Sequence, residues 1–143
     1  MGNQEIIVYT DGGAINNPGK AGIGVVIRFK DKVKEYAKEV GIKTNNQAEY
    51  LAVIFALEKI KQIFGKDKIS QLKVNLNLDS ELVAKQINNQ YKIKEQELFA
   101  YFIEFHNLKL DFGEIKINHI PRENNLADRL VKKILFHKFP TLI

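Results

Sequence analysis

Four acidic residues stand in places where an acid asks for an explanation. Asp11 follows directly on an apolar, β-branched segment, and Asp79 follows directly on another. Glu49 lies in a helical pattern; its neighbours at spacings of four, seven and eleven are Val53, Ala56 and Ile60, so it shares an apolar stripe. Asp128 sits close to Ala127 and Leu130. Singly, each has an ordinary account. A strand-end aspartate caps the next helix, and an acid near a helix start suits the dipole. Jointly they say more. A half-buried carboxylate must pair, protonate or bind a cation. Carboxylates from separate elements that converge at one end of a sheet repel one another unless a counter-ion lies between them. Hard dications with oxygen ligands, Mg²⁺ or Mn²⁺, are the natural counter-ions. Two such ions held by shared carboxylates suit in-line displacement at phosphorus.

Neutral polar residues gather near these acids. Thr44, Asn45, Asn46 and Gln47 form an uncharged run just ahead of Glu49. One helix cap needs one residue, so the run exceeds what capping requires. Amides and hydroxyls at a helix N-terminus suit sugar hydroxyls and phosphate oxygens. Asn16-Asn17-Pro18-Gly19 is a second polar turn of this kind. Other chemistries are excluded. The chain has no cysteine, so disulfides, thiolate metal sites and cysteine nucleophiles are out. His106, His119 and His137 fall at no close metal-ligand spacing.

The elements that must position these groups follow from patterning. Residues 5–10 read as a buried strand, and DGGAINNPGKAG as loop. Residues 22–30 and 33–42 read as two further strands, joined in hairpin fashion. A long helix over 46–64 is capped by Thr44-Asn45 and closed by Gly65. Strict alternation makes 72–78 a strand. Asp79-Ser80 cap a helix through about Asn88, and a second helix covers roughly 95–110. Residues 114–120 form the fifth strand, and a last helix runs from Asn124 or Asn125 to before Pro140. The order β-β-β-α-β-α-α-β-α predicts an α/β fold: a mixed five-stranded sheet, three antiparallel strands followed by parallel β-α-β units, flanked by helices. Asp11 and Asp79 then sit at carboxyl ends of neighbouring strands, where ligands bind in such sheets.

The chain of 143 residues suits one domain, 1–143, with a core of its own. Lys+Arg 22 against Asp+Glu 17 gives +5, which suits a polyanionic partner. No apolar run approaches a membrane span and no signal peptide precedes the first strand. A soluble, cytoplasmic monomer with no membrane association is expected.

TDGGA (10–14), NNPG (16–19), TNNQAEY (44–50), LDSELVAKQI (78–87) and HIPRENNLADRL (119–130), in that order and spacing, resemble type 1 ribonuclease H. The resemblance covers the chain from Glu5 to about Phe136. It implies the ribonuclease H-like fold and endonucleolytic cleavage of the RNA strand of RNA·DNA hybrids, leaving 5′-phosphate and 3′-hydroxyl ends. It implies two Mg²⁺ ions, with Mn²⁺ as a substitute. The catalytic, metal-holding positions fall on Asp11, Glu49, Asp79 and Asp128. Asp11 would bridge both ions, Asp79 would help hold the ion that activates water, and Glu49 and Asp128 the ion beside the leaving 3′-oxygen. Asn17, Asn45, Asn46 and Gln47 match minor-groove contacts, Thr44 a DNA-phosphate contact, and Asn124 a further nucleic-acid-binding position.

Two departures stand out. The lysine-rich handle of many bacterial members is reduced to NNQYKIKEQE (88–97), with Lys92 and Lys94 only, which implies weaker hybrid binding. The histidine that many members carry ahead of the last aspartate, for product release, has His119 as its one candidate. The compact form is closer to archaeal-like and plant-like members. Retention of all four acids separates this reading from a catalytically dead nucleic-acid-binding domain of the same fold; an RNase H-like domain excised from a larger replication or reverse-transcription protein, whose motifs are nearly the same, is the alternative reading. TNNQAEY separates it from transposases, integrases and resolvases.

Overall fold

The structure, a computed structural model, describes residues 5–136. His137, the basic cluster as far as Lys138 and the approach to Pro140 lie outside the described residues. Strands β1 (Glu5–Ala14), β2 (Gly19–Phe29) and β3 (Lys32–Lys43) form an antiparallel meander. Helices α1 (Asn45–Phe64) and α2 (Lys66–Ile69) lead to β4 (Lys73–Leu78). Helices α3 (Glu81–Ile87) and α4 (Phe99–Lys109) lead to β5 (Glu114–His119), and α5 (Asp128–Phe136) is the last element among the described residues. The sheet order is β3-β2-β1-β4-β5, with β4 parallel to both its neighbours. The expected mixed five-stranded sheet is what forms.

Alternation decides which faces are covered. Ile6 and Val8 of β1 and Val74, Leu76 and Leu78 of β4 are buried, and they pack with Tyr50, Val53, Leu57 and Ile60 of α1. Leu98 and Phe105 close the same core from the side of α4. The opposite face carries α5, whose Leu130, with Ala127 ahead of it, packs on Val26 and Tyr9. Gly12 and Gly13 show the two sides directly. A Cβ on Gly12 would stand 2.4 Å from the Ala48 carbonyl of α1, whereas one on Gly13 would meet Val131 of α5 at 3.7 Å. The β3 edge carries Lys32, Lys34 and Lys38 in exposed positions, a common guard against edge pairing.

Several boundaries differ from expectation for physical reasons. β1 does not stop at residue 10; it continues to Ala14, paired to Ala21 of β2. The glycines there serve close helix packing rather than a turn, and the turn shrinks to residues 15–18. Ser80 alone caps α3, its Oγ accepting from the Val83 N–H at 3.2 Å, so Asp79 is not a cap. Pro121 is followed by a 3-10 turn, Arg122–Asn124, and α5 starts only at Asp128. A 3-10 turn over Gln96–Leu98 likewise delays α4 to Phe99. Helix α2 carries too few residues to show a helical period and was not foreseen.

Candidate active site

The parallel pairing of β1 with β4 ends where Thr10 faces Leu78. The next residue on each strand is an aspartate, Asp11 and Asp79. β4 ends there, but β1 runs on beside β2, so Asp11 sits inside a strand and is 5% exposed. Asp11 pairs across β2 with Gly24. A Cβ on Gly24 would stand 2.7 Å from the Ala127 carbonyl oxygen. The bare glycine therefore lets the start of α5 settle beside Asp11, bringing Asp128 with it. Gly12 does the same for α1. Its missing side chain admits the helix backbone, and its N–H donates to Glu49 Oε1 at 3.1 Å.

One carboxylate oxygen from each of Asp11, Glu49 and Asp79 lies within 4.8 Å of the others. Asp128 is outside that group. It is half-buried and paired with Lys132 at 3.1 Å, one helical turn on. Its charge still reaches the cluster. Burial first, then the charges of Asp79 and Asp128, push the Asp11 carboxyl up to about 7, against weaker pulls from Arg122 and the Gly12 N–H. Glu49 is held well above the usual carboxylate range, by burial first and then by Asp11 and Asp79. Such a cluster is strained toward taking up protons or a cation. An all-carboxylate donor set, without sulfur or imidazole, fits a hard dication.

The structure adds a residue to the site. Asn124 is exposed in the 3-10 turn, while Asn125 is buried beside the acids. Asn125 Nδ2 donates to Asp79 Oδ2 at 3.0 Å and to the Thr10 carbonyl at 2.9 Å. Its Oδ1 accepts from the Ala127 N–H at 3.1 Å. One amide thus ties β1, Asp79 and the entry to α5. The signal was available in principle: an asparagine whose side chain bonds two residues ahead is a common device at a helix entry. Arg122, Gly12 and Gly24 also went unremarked as parts of the site.

The polar run at α1 secures the helix entry through its acceptors. Thr44 Oγ1 accepts from the Gln47 N–H at 3.1 Å, and Gln47 Oε1 accepts from the Thr44 N–H at 2.8 Å, a reciprocal capping box. Asn45 Oδ1 accepts from the Ala14 N–H at 2.8 Å, and the Asn45 N–H donates to Asn17 Oδ1 at 2.8 Å. Asn17, Asn45 and the end of β1 therefore form one surface next to the acids. Asn46 Nδ2 donates to Glu95 Oε2 at 3.1 Å. His119 ends β5 opposite Leu78 and is exposed. By alternation it shares the face of Ile117. After Lys85 and Tyr91, its charge helps hold Glu81 low.

Comparison with known proteins agrees with this geometry. Residues 3–135 match the RNase H family. A bifunctional protein of Mycobacterium tuberculosis is 31% identical over 130 residues, which cover 88% of this chain and 34% of that one. Ribonuclease HI of Halobacterium salinarum is 37% identical over 130 residues, covering 89% and 62%. This chain therefore spans about a third of the mycobacterial protein's length. Among solved structures, LC11-RNase H1 in complex with an RNA/DNA hybrid is 43% identical with a TM-score of 0.83, over 90% of this chain and 94% of that one.

Proposed function

The chain belongs to the RNase H family, type 1 in its compact form, and we propose that it is a metal-dependent endoribonuclease that hydrolyses the RNA strand of RNA·DNA hybrids. The observation that carries this reading is the meeting of the Asp11, Glu49 and Asp79 carboxylates within 4.8 Å beside Asp128. The similar LC11 enzyme, solved with an RNA/DNA hybrid, supports the substrate class. In this reading Asp11, Glu49, Asp79 and Asp128 hold two divalent ions, Mg²⁺ or Mn²⁺. Bound there, the ions supply charge neutralisation at the scissile phosphate and an acidified water, leaving 5′-phosphate and 3′-hydroxyl ends.

The protein's own groups do the positioning. Asp11 is the acid whose field environment includes both Asp79 and Asp128, and Glu49 in turn feels Asp11, which supports a bridging place for Asp11. The Gly12 N–H fixes one oxygen of Glu49, and the Asn125 amide fixes one oxygen of Asp79. Each acid keeps its other oxygen for a cation. Asn17 and Asn45 accept bonds through Oδ1, which leaves their Nδ2 donors without a protein partner among the described residues. Such donors suit 2′-hydroxyls in the minor groove. Thr44 Oγ1 accepts from Gln47, so its own hydroxyl proton is free for a DNA phosphate. Contacts to sugars and phosphates carry no base identity, so little sequence preference follows. One copy holds the full set of these groups, so a monomer suffices.

The test is cleavage of labelled RNA·DNA, RNA·RNA and DNA·DNA duplexes with Mg²⁺, Mn²⁺ or EDTA. Cleavage of the hybrid's RNA strand with metal only is expected. Failure to cut the hybrid with either metal overturns the reading.

A further inference from the structure

One amide at the start of α1 is bonded the opposite way round from its neighbours. Asn17 and Asn45 accept through Oδ1 and keep their Nδ2 donors unused. Asn46, the next residue on the helix, donates through Nδ2 to Glu95 Oε2 at 3.1 Å. A carboxylate only accepts, so it dictates which end of the amide faces it. Asn46 Oδ1 is left without a protein partner among the described residues. Glu95 belongs to a segment that is itself tied to α1. Its carbonyl accepts from the N–H of the buried Leu98 at 3.0 Å, opening the 3-10 turn. Three residues earlier, the Lys92 carbonyl accepts from Gln86 Nε2 at 3.4 Å, and Gln86 Oε1 accepts from the Tyr50 hydroxyl at 2.7 Å. The Tyr50 hydroxyl is pushed up, by burial first and then by the charge of Glu95, so that carboxylate stands close to α1. Among the described residues Glu95 pairs with no cation. An unpaired acid beside a surface for a polyanion repels the substrate, and the orientation of Asn46 is what it supplies in return.

We propose that Glu95 is a positioning residue for substrate specificity: it turns the Asn46 amide so that Oδ1 accepts a hydrogen bond from a donor in the minor groove of the hybrid. The proposal rests on the hydrolase reading above. Two groups supply such a donor. One is the ribose 2′-hydroxyl, and the other is the guanine 2-amino group, the one donor on a base edge in that groove. Every ribonucleotide carries the first, whereas a DNA strand offers only the second. A fixed acceptor beside the two unused donors of Asn17 and Asn45 therefore lets the surface test a 2′-hydroxyl for its proton as well as for its lone pairs. A freely turning Asn46 would offer either end and enforce neither.

The test measures KM and kcat at one mapped cleavage site, with Mg²⁺, for wild type, Asn46→Ala, Glu95→Ala and Glu95→Lys. The hybrids carry single 2′-fluoro substitutions along the RNA, away from the scissile linkage, or inosine for guanosine in either strand. Fluorine keeps an acceptor and removes the 2′-proton, and inosine lacks the 2-amino group. For wild type, one substitution should raise KM about fivefold with kcat little changed. Asn46→Ala should be indifferent to that same substitution, which identifies it as the donor for Asn46; its chemistry says whether sugar or base supplies the proton. Glu95→Ala should lower the factor to about two or less. Glu95→Lys sets a donor against Asn46, turns the amide around and should abolish the factor. Each factor is a ratio within one variant, so the altered charge at residue 95 cancels. A wild-type factor in Glu95→Ala and Glu95→Lys would overturn the proposal and make Glu95 a strut between the turn and α1. A wild type that cleaves hybrids yet responds to no lost donor would overturn it as well. A wild type that cleaves no hybrid would overturn the parent reading instead, and is recognised separately.

Discussion

Asp11 and Asp79 occupy equivalent places on neighbouring parallel strands, each the first residue past the last shared rung, Thr10 with Leu78. Backbone register alone thus sets two carboxylates side by side, with no loop flexibility between them. Glu49 arrives from the helix above and is fixed by the N–H of the residue after Asp11. The cluster is therefore preorganised by rigid elements, and its charge is crowded before any cation is bound.

That crowding has a pH signature. Unfolded, Asp11 ionises near 3.8; folded and metal-free, near 7. Between those values the folded state keeps a proton that the unfolded chain has released. This contribution to stability is fully present below about 4 and is lost as pH rises through about 7, on the order of a few kcal/mol. Glu49 shifts in the same direction and adds to it. Urea unfolding in EDTA should show stability falling from pH 5 to pH 8, with a flatter profile for Asp11→Asn. Calorimetry of Mg²⁺ binding at pH 6 should show proton release that shrinks by pH 9. Equal proton release at both pH values would contradict the raised carboxyls.

Gly12 and Gly13 should behave oppositely on mutation. A Cβ at Gly12 would lie 2.4 Å from the Ala48 carbonyl atoms and 2.7 Å from the Glu49 nitrogen, all backbone. Helix α1 must move, and the Gly12–Glu49 bond goes with it. Gly12→Ala should cost about 3 kcal/mol or more and abolish cleavage. At Gly13 the nearest atom is Val131 Cγ1 at 3.7 Å, an ordinary contact. Gly13→Ala should change stability by less than about 1 kcal/mol. Thermal melts and initial rates of the pair check both halves.

The same glycines explain what could be read from the sequence and what could not. Alternation in 72–78 and the helical stripe through Val53, Ala56 and Ile60 report directly on burial, so the sheet and α1 were legible. Asp11, Glu49 and Asp79 were legible because each interrupts or ends such a pattern. The DGGA segment was not, because glycine signals a turn equally well as a strand pressed against a helix. Only the tertiary contact with Ala48 distinguishes the two. Asn125 was hidden for a related reason. Asn124 and Asn125 are chemically identical neighbours, and the 3-10 turn after Pro121, not composition, decides which one faces inward. The charge of Arg122 acts on Asp11 and Glu49 from the same turn.

Thr44 carries a structural duty that changes its test. Its hydroxyl caps α1, so Thr44→Ala should cost about 1 kcal/mol of stability in addition to weakening cleavage. Thr44→Ser keeps an oxygen in place and should retain both the melting temperature and most of the activity. The Mg²⁺ optimum should not move in either variant. A shifted optimum would assign Thr44 to the metal site.

Asp79→Asn should separate chemistry from folding. Ser80, not Asp79, caps α3, so the helix is untouched. The amide keeps an oxygen that can still accept from Asn125. Losing one charge relieves Asp11 and Glu49, both of which are raised in part by Asp79. The metal-free melting temperature should hold or rise while cleavage falls by several orders of magnitude and hybrid binding persists. Near-normal cleavage would remove Asp79 from the catalytic set.

Asn125 and Asn124 give the sharpest contrast, since they differ only in placement. Asn125→Ala strips the buried Thr10 carbonyl and the Ala127 N–H of their partners and frees Asp79 to rotate. Unsatisfied buried groups cost about 1–3 kcal/mol each, so a loss of about 2 kcal/mol or more is expected. Cleavage should fall with it, because an unanchored Asp79 is no longer preorganised. Asn125→Asp tests the second effect more directly. It is nearly isosteric and can still accept from Ala127, but it sets a carboxylate against Asp79 and against the Thr10 carbonyl. That repulsion should grow as pH rises and shrink when Mg²⁺ is added, so the variant's melting temperature should depend more steeply on both than wild type's. Asn124→Ala, on the exposed face of the turn, should leave the melting temperature unchanged. Equal effects of the two alanine variants on stability would show that Asn125 does not hold Asp79 in solution.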